Sequence, residues 1–170
     1  MAAQSAVESQ VYRVGTHLLA VVGFFALLFG ALGVSVVVKR GDWTVLLIAL
    51  GAAAVLLLLL QVLRLEVGPG GFRYRNLSGS REVAFADVGR AYFEVVRATN
   101  APQGVAAFWV ERRGGGRVKV NLRTFPVRAA ATLFTALEAH GIAVEVPDDR
   151  AARRMADQVR AEQVKMRGPE

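Results

Sequence analysis

The sequence predicts an α+β membrane protein: an N-terminal hairpin of two transmembrane helices, followed by a small antiparallel β domain closed by a helix. Three observations carry this. Between Val14 and Leu63 the only charged side chains are Lys39, Arg40 and Asp42, whereas residues 64–170 hold 18 basic and 12 acidic ones. A soluble globule spreads charge over its whole surface, so a split this sharp marks two environments. The apolar stretch falls into two helix-length runs, and the charged part alternates polar and apolar residues as half-buried strands do. The 170-residue chain lacks cysteine and carries a net charge of +7, with 54% hydrophobic residues. That excludes a disulfide-stapled domain, a disordered chain and a large two-lobed enzyme.

The first run, residues 14–38, would be about 37 Å long as a helix, enough to cross a hydrocarbon core of about 30 Å with some tilt. The second covers residues 43–64, and the hairpin loop Lys39-Arg40-Gly41-Asp42 separates them. Backbone amides in hydrocarbon must bond within their own segment, which requires helices. A cleaved signal peptide fits less well, because the first run is too long and Lys39-Arg40 follows it where a small-residue cleavage site would stand. A buried soluble hairpin would need a partner surface that this chain lacks. Tyr12 and Trp43 stand near the two starts, as interfacial aromatics do. Arg13, Arg64, Arg73, Arg75 and Arg81 flank the pair against Lys39 and Arg40 in the loop, so both termini are expected in the cytoplasm. Gly23, Ala26, Gly30 and Gly33 in the first span and Ala49 and Ala53 in the second form small-residue faces for close helix packing, within the hairpin or against another membrane protein or a second copy. No Asp, Glu, Lys or Arg lies within residues 14–38 or 43–63, which argues against a transporter, pump or channel acting alone.

Residues 65–147 read as short strands, a helix and a last strand. Gly68-Pro69-Gly70-Gly71 is a turn, and Phe72-Arg73-Tyr74-Arg75 has the period of two of a strand. Residues 81–85 and 92–97 continue as strands, with a turn at 87–89. Residues 99–104 are expected as loop, because Pro102 and Gly104 break structure. Val105–Val110 suits a central strand, Arg113–Gly116 a hairpin turn, and Val118–Arg123 a strand with Lys119 and Arg123 on its solvent face. Residues 126–140 predict a helix with the stripe Val127, Ala130, Ala131, Phe134 and Leu137. Residues 142–146 give a short last strand. The tail, 148–170, is expected as a helix lying on a membrane surface, docked on a partner or frayed, with Met155, Val159 and Met166 as its thin stripe.

This order is similar to that of small bacterial membrane proteins with a pleckstrin-homology-like (PH-like) domain. The resemblance rests on the strand Gly71-Phe72-Arg73-Tyr74-Arg75, the phrase Phe85-Ala86-Asp87-Val88, the Gly-rich hairpin and the helix ending Glu138-Ala139-His140-Gly141. It covers residues 14–146 and implies a partly open antiparallel β-barrel or sandwich capped by the C-terminal helix, in a bacterial inner membrane.

No constellation for catalysis is legible. There is no thiol, His17 and His140 are far apart in sequence, and no metal-ligand spacing, phosphate-cradling loop or nucleophile elbow occurs. Asp148-Asp149 reads as a helix cap rather than a cation site. No cofactor, metal or nucleic-acid partner is expected. The basic residues Arg73, Arg75 and Arg81, close behind the second span, are candidate contacts for anionic headgroups. The expected function is a membrane-anchored, non-catalytic binding or scaffolding protein that recruits a membrane or cytoplasmic protein. The alternatives are an accessory subunit of a larger membrane complex and a module that reads anionic lipid.

Overall fold

The structure is a computed structural model and describes residues 9–98 and 101–168. Two long helices stand apart from an α+β domain. α1 runs from Thr16 to Arg40 and α2 from Thr44 to Val62. Their 25 and 19 residues give lengths of about 37 and 28 Å. Only Val22 and Gly33 are buried in α1, and nothing is buried in α2. Leu27 and Val38 are nearly four-fifths exposed, at 77% and 79%. Both helices are therefore long and apolar enough to cross a membrane, and neither is enclosed by the domain. Helix α1 extends through Lys39 and Arg40, two residues beyond the expected boundary. It ends at Gly41, whose φ of +68° lets its N–H bond back to the Val37 carbonyl at 2.8 Å. Asp42 then accepts a 2.8 Å bond from the Thr44 amide and starts α2.

The hairpin is inserted into a sheet. β1 (Gln10–Arg13) precedes α1, and β2 (Arg64–Val67) follows α2 after a single residue. The two pair antiparallel, with Arg13 opposite Arg64. Strand β1 is not among the expected elements, and the second helix stops two residues short of the expected end at residue 64. β3 (Gly71–Asn76) and β4 (Gly79–Ala84) complete the order β1-β2-β3-β4. A second sheet has the order β7-β6-β5-β8, built from β5 (Val88–Ala98), β6 (Ala101–Arg112), β7 (Arg117–Val120) and β8 (Val144–Glu145). β8 is only two residues long and lies parallel to β5. A 3-10 turn over Phe85–Asp87 links the sheets where a turn was expected slightly later.

β6 occupies the central place its apolar run predicts, but it begins earlier. Residues 101–104, expected as loop, belong to it, while Thr99 and Asn100 lie outside the described residues. Gly104 takes φ +76°, and the register shifts opposite, between Val96 and Ala98, so the breakers sit at an irregular stretch of a long hairpin. β7 is shorter than expected. Leu122–Thr124 forms a 3-10 turn that buries Leu122 and swings the chain toward the next helix, so Lys119 and Arg123 do not share a strand.

α3 (Val127–Ala139) buries Ala129, Ala130, Ala131, Leu133, Phe134 and Leu137, whereas Val127, at its first turn, is exposed. Inward side chains of both sheets meet it in one core. Phe93, Phe108 and Phe134 pack with ring centroids 5.2–5.8 Å apart, near the optimum for tilted aromatic pairs. α4 (Arg150–Arg167) is a second C-terminal helix, docked on the chain's own domain. It packs on α3, β5 and β6 through buried Ala152, Ala156, Val159 and Gln163. Gln163 Nε2 donates to Thr135 Oγ1 at 3.1 Å and Glu138 Oε2 at 3.3 Å, which satisfies a buried amide. Asp149 caps α4, accepting from the Ala151 amide at 2.8 Å, as the sequence suggests. Tyr12 is part of the domain, because its hydroxyl bonds Gln10 and lies 2.6 Å from Thr132 Oγ1 on α3.

Candidate functional site

The end of the domain from which the hairpin leaves is rich in arginine. Strand alternation sends Leu65 and Val67 inward and Arg64 and Glu66 outward. Register then lines up Arg13, Arg64, Arg75 and Ser80 on four adjacent strands. Residues directly opposite share a face, so three guanidinium groups form a row beside the helix junctions. Arg64 reaches Glu66 at 3.5 Å, and among the described residues Arg13 and Arg75 make no ion pair. Like charges facing across strands repel, so such a row favours an anion beside it.

The three arginines singled out from sequence separate here. Arg75 joins Arg13 and Arg64. Arg73 is one row further from the helices, held by Glu82 at 2.6 Å and Glu66 at 3.9 Å. The Glu82 hydrogen bond pushes the Arg73 pKa further up, and its charge is already matched. Arg81 stands opposite the inward residue Tyr74, so it belongs to the other face of the sheet from Arg73 and Arg75. Of the small-residue positions, Gly33 is buried and Gly23, Ala26, Gly30, Ala49 and Ala53 are half-buried. Only Gly33 is tight, since a Cβ there would lie 2.9 Å from Leu46 Cα, whereas one at Gly23 or Gly30 would meet nothing within 4 Å.

Around the corner from the arginine row is a cleft of about 730 Å³. Its apolar wall includes Leu122, Phe125, Met155 and Val159, and its polar wall Arg97, Arg123, Arg150 and Arg154. His17, in the first turn of α1, also lines it. The Gly15 amide bonds the Thr124 carbonyl at 2.9 Å, which fixes α1 against this wall. Arg97 pairs with Asp149 at 3.2 Å. Asp149 sits below the usual carboxylate range, chiefly through the Ala151 amide bond and then through Arg97. Arg123, Arg150 and Arg154 make no ion pair among the described residues. Sequence reasoning passed over this cleft because its arginines come from three separated segments.

No protein-family model, curated protein or solved structure matches this chain. A third surface is aromatic and cationic. The outer face of the second sheet aligns Lys119, Trp109, Tyr92 and Glu145 across four strands. Arg117 lies 4.5 Å and Lys119 5.7 Å from the Trp109 ring centroid, and Arg90 4.8 Å from that of Tyr92. Such aromatic–cation faces match the composition of protein-binding hot spots.

Proposed function

We propose that the protein is a membrane-anchored binding module of PH-like architecture, without catalytic activity, that recruits a protein partner at a bacterial inner membrane. The observation that carries the reading is the insertion of two exposed apolar helices between the paired strands β1 and β2. Paired strands must lie in one compartment, so a spanning hairpin would put the N-terminal segment and the whole domain on the same side. The row of Arg13, Arg64 and Arg75 at the junction favours the cytoplasmic side by the positive-inside rule. Each arginine held near an anionic surface contributes about 1 kcal/mol of attraction. The domain is then held close against the headgroups, and its outer Trp109–Tyr92 face is offered to a partner.

A second reading, an accessory subunit that docks through its spans, rests on the small-residue faces. Those faces are half-covered by the hairpin itself, which favours the first reading. Photo-crosslinking in native membranes separates the two. A crosslinker replacing Lys119 is expected to capture a distinct protein, and one replacing Leu27, on the exposed side of α1, to capture only lipid. Capture of membrane subunits from Leu27 alone supports the accessory role, and no protein captured from either position contradicts partner recruitment altogether.

A further inference from the structure

We infer that the cleft between the first turn of α1, the 3-10 turn at Leu122–Thr124 and the start of α4 binds the phosphate-bearing headgroup of an anionic phospholipid. The inference deepens the proposed function and rests on the hairpin lying in a bilayer. Arg123, Arg150 and Arg154 share one hollow with no ion-pair partner among the described residues, and Arg97 adds a fourth guanidinium whose partner Asp149 is the only carboxylate in the wall. Among the described residues the hollow holds four cations against one anion, a surplus of three positive charges. Guanidinium groups gathered like this repel one another, and a phosphate accepting two or more charge-assisted hydrogen bonds removes that repulsion.

The remaining wall selects the kind of phosphate. A free inorganic anion gains nothing from apolar surface, yet exposed Val127 and half-buried Ala151 and Met155 line the same cavity, over a floor of buried Leu122, Phe125 and Val159. An amphiphile uses both walls: phosphate on the arginines, glycerol and proximal acyl carbons on the apolar side. The cleft volume, about 730 Å³, lies in the range of small-molecule sites and exceeds what a lone phosphate needs. His17 places the cleft at the level where α1 leaves the domain, within reach of lipids in the adjoining leaflet. The nearby row of Arg13, Arg64 and Arg75 borders only a hollow of about 140 Å³, which Glu66 also lines, and would attract any anionic headgroup; the cleft is larger and would hold one molecule.

The test is calorimetric titration of the full-length chain in neutral detergent with three probes: dioctanoyl phosphatidylglycerol, dioctanoyl phosphatidylcholine and inorganic phosphate. Saturable binding of phosphatidylglycerol is expected, at least tenfold tighter than either other probe. The double variant Arg123→Gln/Arg154→Gln, with an unchanged melting temperature, should weaken it at least tenfold, while Arg73→Gln should not. If the double variant melts lower, Arg150→Gln, an exposed first-turn residue of α4, takes its place with a several-fold loss expected. Equal affinity for inorganic phosphate would reassign the cleft to a free anion. Undiminished binding by the cleft variants, or no binding at all, overturns the inference. Because short-chain lipid reaches the cleft in detergent, failure here leaves the membrane anchoring and partner recruitment standing, and failure of anchoring leaves this binding measurable.

Discussion

Phe108 sits on β6 between Phe93 and Phe134, 1% exposed, where sheet and α3 meet. Replacing it with Ala leaves a cavity that rigid strands on both sides cannot close. The expected loss is about 3–5 kcal/mol in denaturant titration of the detergent-solubilised chain. Asp149 acts through charge and geometry together. It caps α4 and holds Arg97, and both partners favour its ionised form. A carboxylate with a lowered folded-state pKa stabilises in full above the ordinary carboxylate range, and that contribution is lost as pH falls through the lowered value. The melting temperature of the native chain should therefore drop more steeply in acid than that of Asp149→Asn, which keeps a capping oxygen but cannot titrate. Parallel acid melting curves for the two would contradict this. Single residues also mark the reach of sequence reading. The Asp149 cap was legible because a cap is local in sequence. The cleft around it was not, because Arg97, Arg123 and Arg154 converge only through the fold.

Among the elements, the hairpin depends on one close approach. Gly33 meets Leu46 backbone and side chain, while Gly30 has open space where a methyl would go. Gly33→Ala should push the helices apart and lower the melting temperature in detergent, and Gly30→Ala should leave it unchanged. Equal effects would mean that the hairpin packs on another surface. The regular elements were readable where one face is buried and the other wet. Alternation located β3 and β7, and the 3.6-residue stripe located α3. β1 was not readable: four residues with one buried-facing tyrosine signal little, and their partner strand lies beyond a hairpin of some fifty residues. α4 was visible as a helix but not as a docked one. Two of its four buried residues, Ala152 and Ala156, are alanine and a third is Gln163, which add little to a hydropathy pattern.

At the level of the whole molecule, the division into an apolar hairpin and a charged α+β domain was present in the distribution of charge, because hydrocarbon and water impose opposite compositions. That the domain consists of strands followed by a helix came from strand and helix periods, whereas its division into two four-stranded sheets did not. What periods cannot encode is that the hairpin is an insertion into the first sheet, since that depends on the pairing of Arg13 with Arg64 across both helices. That pairing makes a hairpin crossing the bilayer twice, with the domain on one side, open to direct measurement. The chain has no cysteine, so single cysteines can be placed at Ser9, Asp42 and Ser78 without background. Sealed inside-out and right-side-out vesicles are then treated with a membrane-impermeant maleimide. The account predicts that Ser9→Cys and Ser78→Cys label together in inside-out vesicles and that Asp42→Cys labels only in right-side-out ones. Labelling of all three positions from the same side, or release of the protein by alkaline washing, would contradict it.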